Sequence, residues 1–119
     1  MRTLDTSLSE ILSLPGVLGA ALVDAVTGLT YGAVGEWEGT GGGIELSDLT
    51  GLLAERLNQA GATGELESVI ITSRRRHHVT QVVERRGDAV LLTTVLDRER
   101  TNLALAMRQI AERAGEVLA

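Results

Sequence analysis

Apolar residues along this chain switch between two periods, and the switches divide it into helical and extended segments. Leu4, Leu8, Ile11 and Leu12 recur at helical spacing with polar residues between them. They predict a first helix over residues 3–13. Leu14-Pro15-Gly16 ends it, because proline has no amide donor and disfavours helix in the residue before it. Val17–Asp24 is apolar at both alternating sets of positions, as in a strand covered on both faces. Asp24-Ala25-Val26-Thr27-Gly28 reads as a turn and Leu29–Val34 as the returning strand. Gly35–Gly43 is glycine-rich and polar, the composition of a flexible loop.

Helical spacing returns over Ile44–Ala60, with Leu46, Leu49, Leu53 and Leu57 on one stripe and Leu52 beside it. Ser47 and Asp48 supply acceptors near its start, and Gly61 is placed to stop it. Gly51 sits inside this helix at a penalty of about 1 kcal/mol relative to alanine. Either another backbone comes close there, or glycine is simply tolerated near the helix start. Three strands follow, Ser68–Ser73, His77–Glu84 and Ala89–Leu96, with Gly87-Asp88 as a tight connection between the last two. Asp97 is positioned to cap a final helix with the stripe Leu103, Met107, Ile110, Ala114 and Val117.

The order is helix, two strands, helix, three strands, helix. Short connections within each strand group make neighbours antiparallel. A sheet apolar on both faces, accompanied by three amphipathic helices, implies an α+β fold in which helices cover both sides of the sheet. Residues 1–119 read as a single domain without internal repeats.

Composition narrows the chemistry. The chain has no cysteine and no phenylalanine, one tryptophan and one tyrosine, and a net charge of −5. All its basic residues are arginines. Without lysine there is no phosphate-binding lysine of the P-loop kind and no Schiff-base nucleophile. Without cysteine there is no thiolate nucleophile, disulfide framework or thiolate zinc site. An acidic chain without a basic aromatic stretch argues against nucleic-acid binding. Met1–Glu10 carries Asp5 and Glu10 and has no continuous apolar run, so it does not read as a signal peptide. The longest apolar runs, such as Val17–Val23, are too short to span a bilayer, and the expected location is the cytoplasm.

Three stretches in this order resemble the roadblock family of dynein-associated and small-GTPase-regulating proteins. Leu14-Pro15-Gly16-Val17 with Gly19–Asp24 is like the family's opening strand and its acidic turn into Thr27-Gly28. Glu67-Ser68-Val69-Ile70-Ile71-Thr72 is like its third strand, and Val95-Leu96-Asp97-Arg98 with Thr101–Ala106 is similar to the signature joining the last strand to the last helix. The likeness extends over roughly Leu4 to Leu118, and the glycine loop and alanine-rich helices look like the bacterial branch. The resemblance implies a profilin-like three-layer sandwich around a five-stranded antiparallel sheet of order 2-1-5-4-3. It implies a homodimer in which third strands pair edge to edge through Ser68, Val69, Ile70, Ile71 and Thr72. Second helices would then lie side by side, with Leu49 and Leu53 between them. It also implies a bacterial small Ras-like GTPase as partner, or its signalling assembly, and no covalent catalyst.

Other constellations stand beside that expectation. Arg74-Arg75-Arg76-His77-His78 could contact an anion or act as an arginine finger, but charge runs between strands are usually solvated and discourage aggregation. Adjacent His77 and His78 point to opposite faces of a strand and cannot hold one metal together. Gly39 and Gly41-Gly42-Gly43 precede a helix, yet fit neither the Walker nor the dinucleotide pattern. Ser68 or Ser73 could join a histidine and an aspartate, but no nucleophile elbow surrounds either serine. Arg86-Gly87-Asp88 is explained by the hairpin. Trp37 serves equally well as a partner anchor or as a cover for one end of the core. The expectation is therefore a non-enzymatic adaptor with no cofactor and no metal. Its partner-facing residues would come from Arg56 and Asn58 on the middle helix and from Arg74, Arg75 and Arg76. The alternative is a small-molecule sensory module of the PAS or GAF kind, which shares this layout but needs a lined pocket.

Overall fold

The computed structural model describes residues 3–39 and 41–118. Met1 and Arg2 of the N-terminal stretch, Thr40 of the glycine-rich loop, and Ala119 lie outside the description. The elements run α1 (Leu4–Leu12), β1 (Val17–Asp24), β2 (Thr30–Gly35), α2 (Gly43–Gln59), β3 (Ser68–Thr72), β4 (Arg76–Arg85), β5 (Asp88–Asp97) and α3 (Leu103–Val117). Strands neighbour one another in the order β2-β1-β5-β4-β3, and every adjacent pair is antiparallel. The fold class and element order are those expected from the sequence, and the sheet order is the one that the roadblock resemblance implies.

The apolar periodicity sorts directly into two sides of the sheet. α1 and α3 cover one side, where Leu8, Ile11, Leu22, Leu92, Leu96 and Ile110 form the centre of the larger core cluster. Glu10 on α1 and Arg113 on α3 are 3.5 Å apart across the top of this layer. The opposite side is thinner: Ala21, Val23, Leu46 and Leu91 form a second cluster, with Trp37 and Val82 packed against it. Both sides are apolar because β1 and β5 are central strands, buried along most of their length.

Local signals set the ends of the elements. The Thr3 hydroxyl accepts from the Thr6 amide at the start of α1, and the Gly42 amide donates to the Glu45 carboxylate at the start of α2. The cap of α3 is Asn102, whose Oδ1 accepts from the Leu105 amide, and not Asp97. The Asp97 carboxylate instead accepts from the Glu99 amide, shaping the loop after β5. The β4–β5 connection also differs by one residue from the sequence reading. Arg86-Gly87 forms the turn, with φ of 54° and 87°, and Asp88 is already the first residue of β5.

Candidate interaction surface

β3 is short, uncharged and free along one side. Its pairing with β4 sets Val69 opposite Thr80, Ile70 opposite Val79 and Ile71 opposite His78. Just outside it, the Val82 amide donates to the Glu67 carbonyl (2.8 Å) and the Ser73 amide donates to the Arg76 carbonyl (2.9 Å). Main-chain groups in an antiparallel strand alternate in direction. Residues 67, 69, 71 and 73 therefore bond inward to β4, and the N–H and C=O of Ser68, Ile70 and Thr72 face outward without a strand partner. The side chains alternate as well. Val69 and Ile71 are half-buried on the α2 side of the sheet, while Ser68, Ile70 and Thr72 are exposed on the other. Ile70, a large aliphatic, is 42% exposed.

α2 shows a matching deficit of cover. Its inward line consists of Gly43, Leu46, Ser47 and Thr50, so small residues take much of the contact with the sheet. Ser47 ties the helix to the β1–β2 turn by donating to the Ala25 carbonyl (2.7 Å). The leucine stripe is rotated away from this line: Leu49, Leu53 and Leu57 are only half-buried, and Leu52 is 53% exposed. Leu49, Leu52, Leu53 and Arg56, at spacings of three and four, share one flank of the helix. Asn58 does not join them. It stands two residues from Arg56, and its carboxamide oxygen accepts from the Thr63 hydroxyl, bracing the α2–β3 connection. Gly51 is open, with no neighbouring atom where a Cβ would stand, so close approach of another backbone is not found within the protomer.

The three successive arginines do different things. Arg74 and Arg75 are exposed on the β3–β4 turn. Arg76 belongs to β4, is half-buried, and lies 3.1 Å from the Glu36 carboxylate. The turn is fixed to the loop after β5, because the Arg98 amide donates to the Arg75 carbonyl (2.9 Å). Beside it lies a polar cleft of about 470 Å³ lined by Leu18, Arg74, Arg75, Arg76, Asp97 and Glu99. Its two carboxylates oppose the arginines, an arrangement unlike a site for a dense polyanion.

His77 and His78 do point to opposite sides of β4. His77 Nδ1 is 3.0 Å from the Thr72 hydroxyl. His78 is buried against Gly39, where an added Cβ would collide with the imidazole ring. Burial, and then the charges of Arg76 and His77, hold its pKa below the usual histidine value. The glycine-rich loop is thus anchored by Glu36 on Arg76, by Trp37 on the second core cluster, and by Gly39 on His78. Trp37, which the sequence leaves open between two roles, covers the core.

An apolar recess of about 260 Å³ lies between α2 and the sheet, lined by Thr50, Gly51, Ala54, Gly64, Leu66, Val82 and Leu91 among others. It contains no aromatic ring, and the Thr50 hydroxyl within it already donates to the Leu46 carbonyl (3.0 Å). Among the described residues, no group of three histidine or carboxylate side chains is gathered as for a metal ion. No helix among them is long and apolar enough to cross a membrane.

The half-buried status of α2 is the feature hardest to find in the sequence. Its signal lies in Ser47 and Thr50, which occupy inward positions where leucine would give full burial.

No protein-family model and no curated protein matches the chain. Solved structures do. A roadblock/LC7 domain from Streptomyces avermitilis aligns with a TM-score of 0.79 at 18% identity, covering 98% of this chain and 95% of that one. The gliding protein MglB from Thermus thermophilus aligns at 0.63 and 17% identity, covering 94% and 85%. MglC from Myxococcus xanthus aligns at 0.60 and 17% identity, covering 94% and 93%. At such identities the likeness is one of fold, and in element order, sheet order and extent the chain has the roadblock fold.

Proposed function

We propose that this protein is a homodimeric regulatory or adaptor module that binds a bacterial small Ras-like GTPase or the signalling assembly around it. The observation that carries the reading is the outward-facing main chain of Ser68, Ile70 and Thr72 on an uncharged edge strand, in a molecule whose α2 also leaves leucines uncovered. An edge of this composition is an aggregation hazard when left open. Pairing with a two-fold copy removes the hazard, and closed two-fold assembly is the commonest outcome for such a surface. Leu49, Leu52 and Leu53 supply the apolar contact that main-chain pairing lacks. The roadblock fold, together with the family resemblance in the sequence, makes a small GTPase the first partner to test.

The reading assigns the protein a surface and no catalyst. Arg74 and Arg75 lie on an exposed turn, and Arg76 is tied to Glu36. The sensory alternative receives less support, because neither the recess under α2 nor the larger cleft beside the β3–β4 turn is lined by an aromatic ring, and the hydroxyl in the recess is already bonded.

The test has two arms. Sedimentation equilibrium should show a dimer at micromolar concentration. Single-turnover GTP hydrolysis and nucleotide exchange should be followed for the small GTPase encoded nearest this gene, with and without saturating protein. A change in either rate, together with co-migration of the two proteins, supports the proposal. A monomer that neither binds the GTPase nor alters its nucleotide cycle sinks it. Removing an arginine finger lowers stimulated hydrolysis by about three to five orders of magnitude. A loss on that scale from Arg74→Ala or Arg75→Ala alone, with binding retained, would make the protein a catalytic participant instead of an adaptor.

A further inference from the structure

The sequence on either side of β3 is charged, with opposite signs at its two ends. Glu65 and Glu67 precede the strand, and Arg74 and Arg75 follow it. All four side chains are exposed, and among the described residues none of them takes part in an ion pair. The segments that carry them are nevertheless held in place. The Glu67 carbonyl accepts from the Val82 amide, the Glu65 amide donates to the Ala62 carbonyl, and the Arg75 carbonyl accepts from the Arg98 amide. Four charges are thus presented at fixed places around an edge that is itself uncharged.

We infer that these four residues form a charge clamp that selects a second copy of this chain, in antiparallel orientation, as the occupant of the β3 edge. The inference rests on the homodimer reading above and adds to it what fixes orientation and register. Only Ser68, Ile70 and Thr72 have outward main-chain groups. An antiparallel copy that engages all three sets Ser68 opposite the partner's Thr72 and Ile70 opposite the partner's Ile70. In that register the acidic end of each strand runs alongside the basic end of the other. Glu67 stands opposite the partner's Ser73, next to the exposed Arg74-Arg75 turn that follows it, and Glu65 lies at the same end of the pair. The two-fold axis repeats the arrangement at the other end. A parallel copy would instead set glutamate against glutamate and arginine against arginine, the like-charge juxtaposition that rejects wrong partners. Slippage by two residues would also leave one of the outward pairs unmade.

A charge swap tests the clamp. One variant carries Glu65→Arg and Glu67→Arg, so both ends of its strand are basic. The other carries Arg74→Glu and Arg75→Glu, so both ends are acidic. Because all four positions are exposed, circular dichroism should show both variants folded. Sedimentation then gives the dimer Kd of wild type, of each variant alone, and of the two mixed. Each variant alone should dimerise ~tenfold or more weakly than wild type, since it brings like charges together at both ends. The mixture should form a heterodimer with affinity restored to near wild type, and native mass spectrometry should show few homodimers. Raising salt should weaken the wild-type dimer and relieve the homodimer defect of both variants.

A wild-type dimer whose variants self-associate equally well, and mix in statistical proportion, overturns the clamp and leaves the dimer reading standing. Variants that are weakened alone and not rescued by mixing also overturn it. A wild-type chain that stays monomeric overturns the dimer reading and the clamp with it.

Discussion

Arg86 carries a backbone penalty that one substitution should remove. β4 and β5 are joined by Arg86-Gly87 alone, and both residues have positive φ. A two-residue hairpin of this type matches the right-handed twist of its strands but needs left-handed backbone at both positions. For a residue with a Cβ, left-handed backbone costs roughly 1–2 kcal/mol, and asparagine is among the few side chains that visit it readily. The Arg86 side chain is exposed and makes no hydrogen bond or ion pair among the described residues, so its replacement removes no contact. Arg86→Asn should therefore stabilise the fold by about 1 kcal/mol, which for a domain of this size raises Tm by roughly 4 °C. The measurement is urea unfolding followed by circular dichroism at one fixed protomer concentration, because the stability of a self-associating protein depends on that concentration. The gain should appear as a higher midpoint with unchanged m. Arg86→Val should move the midpoint the other way, since a β-branched side chain is the least suited to this backbone. An Arg86→Asn protein no more stable than wild type, beside an Arg86→Val protein no less stable, would refute the turn geometry. The β4–β5 register that sets Val83 opposite Val90 would fall with it.

Gly51→Ala should raise stability by about 1 kcal/mol, because the position is helical and open; loss of dimerisation in that variant would instead mean a second copy comes close there. Burial, and then the charges of Arg76 and His77, lower the pKa of His78 in the fold, so below about pH 6.5 the unfolded chain takes up a proton more readily than the folded chain. Unfolding midpoints should fall from pH 7 to pH 5, and His78→Gln should flatten that slope; an unchanged slope would clear His78 of the effect. A further loss, below about pH 4, belongs to Asp24, whose carboxylate is held low by the amides of Thr27 and Val26 and then by the Tyr31 hydroxyl. Trp37→Ala should destabilise by roughly 2 kcal/mol, about half the penalty for a fully buried tryptophan. Trp37 is the sole tryptophan, so wild-type fluorescence reports on this loop directly, and a solvent-like emission maximum in the folded protein would contradict its packing.

The strands and helices were legible because each is declared by its own residues. Val17–Asp24 is apolar on both faces and is a central strand buried on both. Ser68–Thr72 shows no charge and lies at the edge. What the sequence blurred were places where contacts from elsewhere decide. Asp97 and Asn102 are both competent caps; the helix begins after Asn102 because Asp97 still belongs to β5, paired with Arg76. The position of the β4–β5 turn depended on whether arginine would accept left-handed backbone, which local preference argues against. On the interaction surface, the uncharged β3 edge was readable. The rotation of α2 was not, since the leucine stripe suggested burial that Ser47 and Thr50 take in its place. Arg74, Arg75 and Arg76 look alike in sequence, and only the approach of Glu36 across the sheet separates the third from the first two.

The sheet order has a consequence for how the chain is made. β5 comes last among the strands yet occupies the middle of the sheet, joined to β1 on one side and β4 on the other. As the chain emerges during synthesis, the β1–β2 hairpin is present early with one edge of β1 unfilled, and β3 and β4 can pair only with each other. Neither half can close on the other until Asp88–Asp97 has been made and has reached Val17–Asp24. Pairing so distant in sequence is slow to form, and the hairpins that wait for it hold exposed apolar strands. Quality control in the cell would therefore act mainly on the interval before β5 arrives, and substitutions in β5 should lower yield by prolonging that interval, beyond what their effect on the finished fold accounts for.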